Sequence, residues 1–223
     1  VDTIFSSDGV YADPPGFLRP AVAAIRAAGG VFIADEVQPG FGRTGDAMWG
    51  FQRHDLIPDM VSLGKPMGNG YPVAGLVLRP EVIAAFGAKA RYFNTFGGNA
   101  VAAATAMAVL EVIEAEQLQQ NAKTVGRYFR DGLHALAKDH ASLGPLRAAG
   151  LFLGQDIVSP ATDAPDPACA ARIVNALRDA RILISATGPR GHVLKIRPPL
   201  VFSRANVDFF ITRLDQVLKA IAQ

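Results

Sequence analysis

Apolar residues recur at helical spacing near the start of the chain and then give way to short apolar runs. Residues 16–28 place apolar side chains on one helix face, and Gly29-Gly30 follows as a stop signal. Short apolar runs bounded by turn residues are typical of buried strands. The first half therefore predicts a helix at 16–28, strands at 31–34, 59–63 and 72–78, and a short helix that begins at Pro80.

The pattern changes in the second half of the chain. Two long helices are predicted at 99–119 and 121–139, because both segments are rich in strong helix formers. Beyond them the pattern predicts strands at 151–158, 182–186 and 192–197, a helix at 168–180 and a closing helix from Arg204. We therefore predict an α/β fold, in which residues 1–142 end a mostly parallel large domain and residues 143–223 form a small α+β domain.

Composition narrows the class of protein. Half of the 223 residues are hydrophobic, and 22 basic against 20 acidic residues leave a net charge of +2 with no long block of either sign. Neither a nucleic-acid partner nor a membrane is therefore indicated. The single cysteine, Cys169, has no disulfide or metal partner, which favours a cytoplasmic location. The four histidines show no ligand spacing and are interpreted as surface or interface residues. Because the chain begins at Val1 without an initiating Met, we expect a fragment of a longer protein.

Two polar side chains follow two of the predicted strands. Asp35 ends the first strand and Lys65 comes just after the second, at the edge of an open α/β sheet where ligands bind. A lysine amine forms an imine with an aldehyde, and a carboxylate can keep a pyridine nitrogen protonated, which is the pairing that pyridoxal 5′-phosphate (PLP) needs. A nucleotide site is not supported, because Pro66 interrupts the phosphate-loop pattern and no GxGxxG is complete. Taken alone, Lys65 would be read as a surface lysine.

Four motifs together resemble one family. They are ADEVQPGFGRTG at 34–45, SLGKPMGNGYP at 62–72, FNTFGGN at 93–99 and KIRPP at 195–199. Their order and content are similar to those of the class III PLP-dependent aminotransferases, closest to the alanine–glyoxylate aminotransferase and phospho-lyase branch. The resemblance runs over nearly the whole chain. It implies the C-terminal part of a fold type I PLP-transferase large domain, followed by the small domain.

The resemblance implies roles for the residues around the cofactor. Lys65 would carry PLP as a Schiff base and then move the proton between the substrate's α-carbon and the cofactor. Asp35 would hold the pyridine nitrogen protonated. Val37 would press on one face of the ring, although simple core packing needs the same side chain. Gln38 would reach the ring's phenolic oxygen.

Three further residues take their roles from the same resemblance. Thr95 would bind the phosphate of the neighbouring subunit's cofactor, which implies a homodimer with shared active sites; its alternative is a helix-entry residue. Arg197 would bind the substrate carboxylate, since a guanidinium matches a planar carboxylate in two places; its alternative is a structural salt bridge. Arg43 is interpreted as structural.

The sequence departs from the family pattern near its start. Residues 2–9 replace the usual Glu-Pro-x-Gln-Gly segment, and Asp2 would be a shortened form of its acid, which leaves substrate gating there open. The glycine- and serine-rich phosphate cup and the second ring-stacking aromatic lie upstream in the family. We therefore expect the isolated chain to bind PLP weakly or not at all.

Three functions stay open on the sequence alone. The first is an aminotransferase that moves an amino group from an α- or ω-amino acid to an oxo acid such as pyruvate or glyoxylate. The second is a PLP-dependent phospho-lyase that acts on a phosphorylated amino alcohol. The third is a non-catalytic fragment that serves as an appended module. Retention of arginine at position 197 favours the first.

Overall fold

A computed structural model describes residues 1–222 of the chain. The fold consists of two sheets with helices packed around them. The first part of the chain contains α1 (Arg19–Ala27), β1 (Ile33–Asp35), β2 (Met60–Leu63), β3 (Gly75–Leu78), α2 (Pro80–Lys89) and α3 (Ala100–Ala115). The second part contains α4 (Leu118–Leu136), β4 (Leu143–Ala149), β5 (Phe152–Ile157), α5 (Pro167–Asp179), β6 (Ser185–Thr187), β7 (Val193–Ile196) and α6 (Arg204–Ile221).

The first sheet has the order β1-β2-β3. β1 and β2 are parallel, with Asp35 opposite Ser62, while β2 and β3 are antiparallel. Beside β1, Phe32 and Ala34 pack with Val22 of α1 in a small core. The parallel pair matters most, because it brings the carboxyl ends of β1 and β2 to the same edge of the sheet.

The second sheet has the order β4-β5-β7-β6, and every pairing in it is antiparallel. One of its faces is covered by α4, α5 and α6, which share the largest hydrophobic core of the described residues. The buried residues of α4 recur every three or four positions, so one apolar stripe faces the sheet; they are Leu118, Ala122, Val125, Gly126, Phe129, Leu133 and Leu136. Although α4 precedes the domain boundary predicted at residue 142, its stripe belongs to the core of the second sheet.

The other face of the second sheet contacts the beginning of the chain. Ile4, Val10 and Ala12 pack against Ala149 and Phe152 in a separate core cluster. Because side chains alternate along a strand, this same face also carries Lys195 and Arg197 of the β7 segment, whereas Leu194 and Ile196 point into the helical core. The first residues of the chain therefore bring the two sheets together next to these two cations.

The backbone of the β4–β5 turn touches two other parts of the chain. A Cβ atom on Gly150, whose φ is +55°, would lie 2.5 Å from the carbonyl carbon of Thr44. A Cβ atom on Gly126 of α4 would overlap the Gly150 carbonyl oxygen. Both glycines are therefore needed for close backbone approach, and they join the 42–45 turn, the β4–β5 turn and α4 into one contact.

Several sequence-based expectations are corrected here. The run at 31–34 was expected to be fully buried, but Val31 and Ile33 are 46% and 41% exposed, because only one face of β1 is covered by α1. β4 was not predicted, since Gly144 and Pro145 interrupt its apolar pattern. His54 is buried rather than at the surface: its Nε2 lies 2.8 Å from the Thr3 carbonyl oxygen and the Gly16 N–H donates to its Nδ1.

Residues 1–222 contain neither a membrane-spanning helix nor a cluster of metal-binding side chains. None of the helices in that range has the length and apolar character needed to cross a membrane. Within the same residues, no group of three or more histidine, cysteine, aspartate and glutamate side chains is arranged to hold a metal ion.

Candidate active site

Asp35 and Lys65 lie where the two parallel strands end. Asp35 is the last residue of β1, and Lys65 follows the end of β2 by two positions. Lys65 begins a short 3-10 helix, Lys65–Gly68, with a φ of +33° and an exposed side chain. A positive φ is uncommon for a residue other than glycine and is found preferentially at functional sites. The structure thus brings the predicted amine and carboxylate to one edge of the sheet.

Val37 lies between these two groups. The Val37 N–H donates to Asp35 Oδ1 at 3.1 Å, so the carboxylate also orders the turn that leaves β1. A Cβ atom on Gly64 would lie 3.6 Å from a Val37 methyl group, which places Val37 beside the residue that precedes Lys65. An amine, a carboxylate and an apolar branched side chain are the groups that a pyridine aldehyde requires, so the residues at this edge fit PLP.

Gln38 connects this edge with the second sheet. Its Oε1 accepts hydrogen bonds from Arg197 Nη1 at 2.7 Å and from Lys195 Nζ at 3.1 Å. Its Nε2 donates to Ser7 Oγ at 3.3 Å. Gln38 and Arg197, which the sequence proposed separately, are therefore direct neighbours.

Lys195 is a site residue that the sequence analysis did not single out. Its ammonium and the Arg197 guanidinium lie 5.5 Å and 5.9 Å from the centre of the Phe152 ring. Burial lowers the pKa of Lys195, Arg197 and Lys65 lower it further, and Asp2 opposes the change. The signal was present in the sequence, because residues two apart in a strand share a face.

The cations of the site have no acidic partner. Within residues 1–222, no ion pair involves Lys65, Lys195, Arg197 or the nearby Arg43; the salt-bridge alternative for Arg197 is therefore not supported by this structure. Positive side chains that converge without forming an ion pair are typical of a site for an anionic ligand group.

Two acidic side chains close to the site have structural roles. Asp2 accepts hydrogen bonds from the backbone N–H groups of Ile4 at 3.1 Å and Ser6 at 2.9 Å, and so closes the first turn of the chain. Glu36 is fully buried and accepts from the N–H groups of Gly50 at 2.7 Å and Phe51 at 2.8 Å. Burial raises the pKa of Glu36 to about 7 against the effect of those two hydrogen bonds.

Thr95 is exposed and has no hydrogen bond to the other candidate residues among residues 1–222. It belongs to an exposed segment before α3, in which the Phe93 and Phe96 side chains are 84% and 80% exposed. No hydrogen bond of the described residues connects Thr95 with Asp35, Gln38 or Lys65. Asn99, and not Thr95, caps α3, because Asn99 Oδ1 accepts from the Ala102 N–H at 2.9 Å. The cap of α3 is therefore Asn99, and Thr95 precedes it by four residues.

Comparison with known proteins gives a consistent result. The model of the family described as Aminotransferase class-III matches residues 1–218. A Drosophila melanogaster protein named alanine–glyoxylate aminotransferase 2-like is 42% identical over 100% of this chain and 46% of its own length. A Caenorhabditis elegans protein named ethanolamine-phosphate phospho-lyase homolog 1 is 40% identical over 97% of this chain and 47% of its own. The chain thus spans about half the length of these curated relatives.

Solved structures show the same fold. A phospholyase from Arthrobacter in complex with phosphoethanolamine has a TM-score of 0.95 and 40% identity, over 98% of this chain and 52% of that one. A transaminase from the marine bacterium Virgibacillus has a TM-score of 0.91 and 26% identity, over 99% and 52%. The two sheets and the site between them therefore correspond to about half of each solved chain.

Proposed function

Because the chain belongs to the class III aminotransferase family, we propose that it contributes to an enzyme that uses PLP to move an amino group from an amino acid to an oxo acid such as pyruvate or glyoxylate. The observation that carries this proposal is the placement of Asp35 and Lys65 at adjacent ends of parallel strands. An amine and a carboxylate at that spacing suit opposite parts of one pyridine aldehyde.

Each site residue has a defined task in this reaction. When bound, PLP supplies a ring that accepts electrons from the substrate's α-carbon. The Lys65 amine holds the cofactor and then, once free, takes the proton from the α-carbon. The Asp35 carboxylate keeps the proton on the ring nitrogen through a charge-assisted hydrogen bond. Val37 would pack on one face of the ring, and Gln38 would donate its amide N–H to the phenolic oxygen.

Arg197 binds the carboxylate of the amino donor in this proposal. Its guanidinium donates only to a neutral amide oxygen of Gln38, so a carboxylate can replace that weaker acceptor. The nearby Lys195 ammonium adds to the positive potential at the same place. A neutral amine without a carboxylate would gain nothing from either cation.

Borohydride reduction of the intact protein with PLP tests the proposal. Reduction fixes the cofactor on the lysine that carries it, and digestion with mass spectrometry identifies the labelled peptide. We expect the label on Lys65 and its loss in Lys65→Arg, while Lys89→Arg on the exposed end of α2 keeps it. Label on another lysine, or a protein that takes up no label, would overturn the assignment.

A second candidate function is the elimination of phosphate and ammonia from a phosphorylated amino alcohol. The pairing of Lys195 with Arg197 favours it, because two cations with no acidic partner suit a doubly charged phosphate. The names of the phospho-lyase relatives agree with this candidate. Incubation of the intact protein with phosphoethanolamine, and separately with an amino acid and an oxo acid, distinguishes the two. Release of inorganic phosphate from phosphoethanolamine supports elimination, and consumption of the oxo acid without phosphate release supports transamination.

We also propose a homodimer in which Thr95 completes the partner's site. The exposed apolar side chains around Thr95 support an interface there, with Phe93 and Phe96 as its centre. Mixing two impaired variants tests it. Lys65→Ala and Thr95→Ala each damage both sites of their own dimer, whereas the mixed dimer contains one site with both residues intact. Restored activity after mixing is expected, and its absence in verified mixed dimers would contradict shared sites.

A further inference from the structure

Arg43 is a half-buried cation that connects the loop after β1 with the second sheet. Its Nη1 donates to the carbonyl oxygen of Leu151 at 3.3 Å and, by a shorter contact, to that of Pro198. In return the Leu151 N–H donates to the Arg43 carbonyl oxygen at 3.1 Å. The guanidinium thus bonds to backbone oxygens only, although it lies close enough to Arg197 to feel its charge.

The backbone that Arg43 contacts is the segment that carries Arg197. β7 ends at Ile196, and the next two residues after Arg197 are Pro198 and Pro199, which have no N–H group to donate to a neighbouring strand. The Arg197 side chain therefore projects from backbone that the sheet no longer holds. The hydrogen bond from Arg43 to the Pro198 carbonyl oxygen holds this backbone one residue away from Arg197.

The position of Arg43 itself is tightly fixed. It lies in the 42–45 turn, which follows Gln38 on the chain and is closed by the hydrogen bond from the Gly45 N–H to the Gly42 carbonyl oxygen at 3.0 Å. A Cβ atom on Gly45 would lie 2.7 Å from the backbone of Lys123 in α4. The turn is thus pressed against α4 on one side and against the β4–β5 turn on the other.

We propose that Arg43 is a positioning residue that holds Arg197 at the distance from Gln38 and Lys65 at which a donor carboxylate is bound. Arg43 belongs to the loop that also carries Gln38, and its guanidinium binds the backbone next to Arg197. The length of the Arg43 side chain therefore sets the distance between that loop and the backbone of Arg197. The inference rests on the proposed function for the identity of the donor. It adds a task to a residue that the sequence analysis interpreted as structural.

Kinetics of the intact holoenzyme test the proposal with two kinds of amino donor. For a donor with a carboxylate, such as alanine, Arg43→Gln should raise KM about tenfold or more, because Arg197 loses its fixed position. Arg43→Lys keeps the charge and should recover part of the loss. For sec-butylamine, which has no carboxylate, both variants should keep kcat/KM within about twofold of the parent.

A matched control separates this effect from the loss of any arginine that contacts carbonyl oxygens. Arg79 donates to the Pro58 carbonyl oxygen at 3.2 Å and also pairs with Asp59 at 3.5 Å, at the end of β2 far from the site. Arg79→Gln should therefore change the KM of neither alanine nor sec-butylamine. Equal losses for both kinds of donor in Arg43→Gln would show a general structural role and overturn the proposal. So would an unchanged KM for alanine.

Titration with an unreactive carboxylate gives a second measurement that needs no turnover. Calorimetry with propionate should show an affinity about tenfold weaker for Arg43→Gln than for the parent holoprotein, with Arg79→Gln unchanged. Equal affinity for propionate in Arg43→Gln and the parent would overturn the proposal. If borohydride instead labels a lysine other than Lys65, the proposed function fails, while this titration still decides whether Arg43 positions Arg197.

Discussion

The guanidinium of Arg197 donates to the amide oxygen of Gln38 at 2.7 Å, although 159 positions separate the two residues in the chain. Gln38 follows the last residue of β1 in the first sheet, and Arg197 follows the last residue of β7 in the second sheet. This hydrogen bond therefore connects the two sheets across the site. Lys195 shares the same acceptor at 3.1 Å. In the proposed function, the donor carboxylate would therefore compete with this amide oxygen for the two cations.

Gln38→Glu should convert that neutral acceptor into an internal competitor. A carboxylate at position 38 would form ion pairs with Arg197 and Lys195, and we expect KM for a carboxylate donor to rise about tenfold or more. Thermal unfolding of the variant should occur no lower than that of the parent, because the new charge is paired. Steady-state kinetics and a melting curve measure both. An unchanged KM would show that the two cations do not bind the donor.

Asp35→Asn should reduce kcat much more than it reduces cofactor affinity. The amide keeps an oxygen for the Val37 N–H but cannot hold a proton on the ring nitrogen, and we expect kcat to fall about a hundredfold or more. Cofactor titration and single-turnover rates separate the two effects.

The control for this change lies at the other end of the same sheet. Asp59→Asn removes a carboxylate that accepts from the Phe32 N–H at 2.8 Å just before β2. We expect it to affect stability while kcat stays near the parent value. Equal losses of kcat in the two variants would argue against a special role for Asp35.

Glu36 should make the folded chain less stable as the pH rises. Burial raises its pKa from 4.5 to about 7, so the folded state binds the proton more tightly than the unfolded chain does. The resulting stability is fully present below pH 4.5 and is lost as the pH rises through about 7, by up to about 3 kcal/mol. Denaturant unfolding of parent and Glu36→Gln between pH 5 and 8 measures it. If the free energy of unfolding fell with pH as much in Glu36→Gln as in the parent, this assignment would be contradicted.

Gly126→Ala should destabilise the protein strongly. The new methyl group would overlap the Gly150 carbonyl oxygen, and we expect a loss of about 3 kcal/mol or more. Gly87→Ala is the matched control, because it lies in α2 with no atom within 4 Å of the new methyl group. Removing that helical glycine should stabilise by about 0.5–1 kcal/mol. Chemical denaturation compares them, and a mild effect of Gly126→Ala would show that the backbone can separate there.

The amino-acid pattern was sufficient for the local elements that have a clear period or a clear terminator. The amphipathic helix α4 and the closing helix α6, which begins at Arg204 as predicted, are examples. Asp35 and Lys65 could be proposed because each directly follows an apolar strand. Their nearness depended only on β1 and β2 being parallel neighbours, as the fold class predicted.

Long-range relationships could not be read in the same way. β4 forms because β5 pairs with it, with an irregular register between Leu143 and Leu146, and no local period marks such a strand. The burial of His54 depends on the Thr3 carbonyl oxygen, 51 positions away. The task proposed for Arg43 likewise depends on backbone oxygens that its neighbours in sequence do not reveal.

The contact between Gly126 and Gly150 limits how the site can adjust to a ligand. Backbone meets backbone there without a side chain in between, and the 42–45 turn touches the same place, so α4, the β4–β5 turn and the 42–45 turn have no compressible layer between them. Under the proposed function, we therefore expect a change of ligand to be accommodated by side chains at the site rather than by movement of this backbone contact.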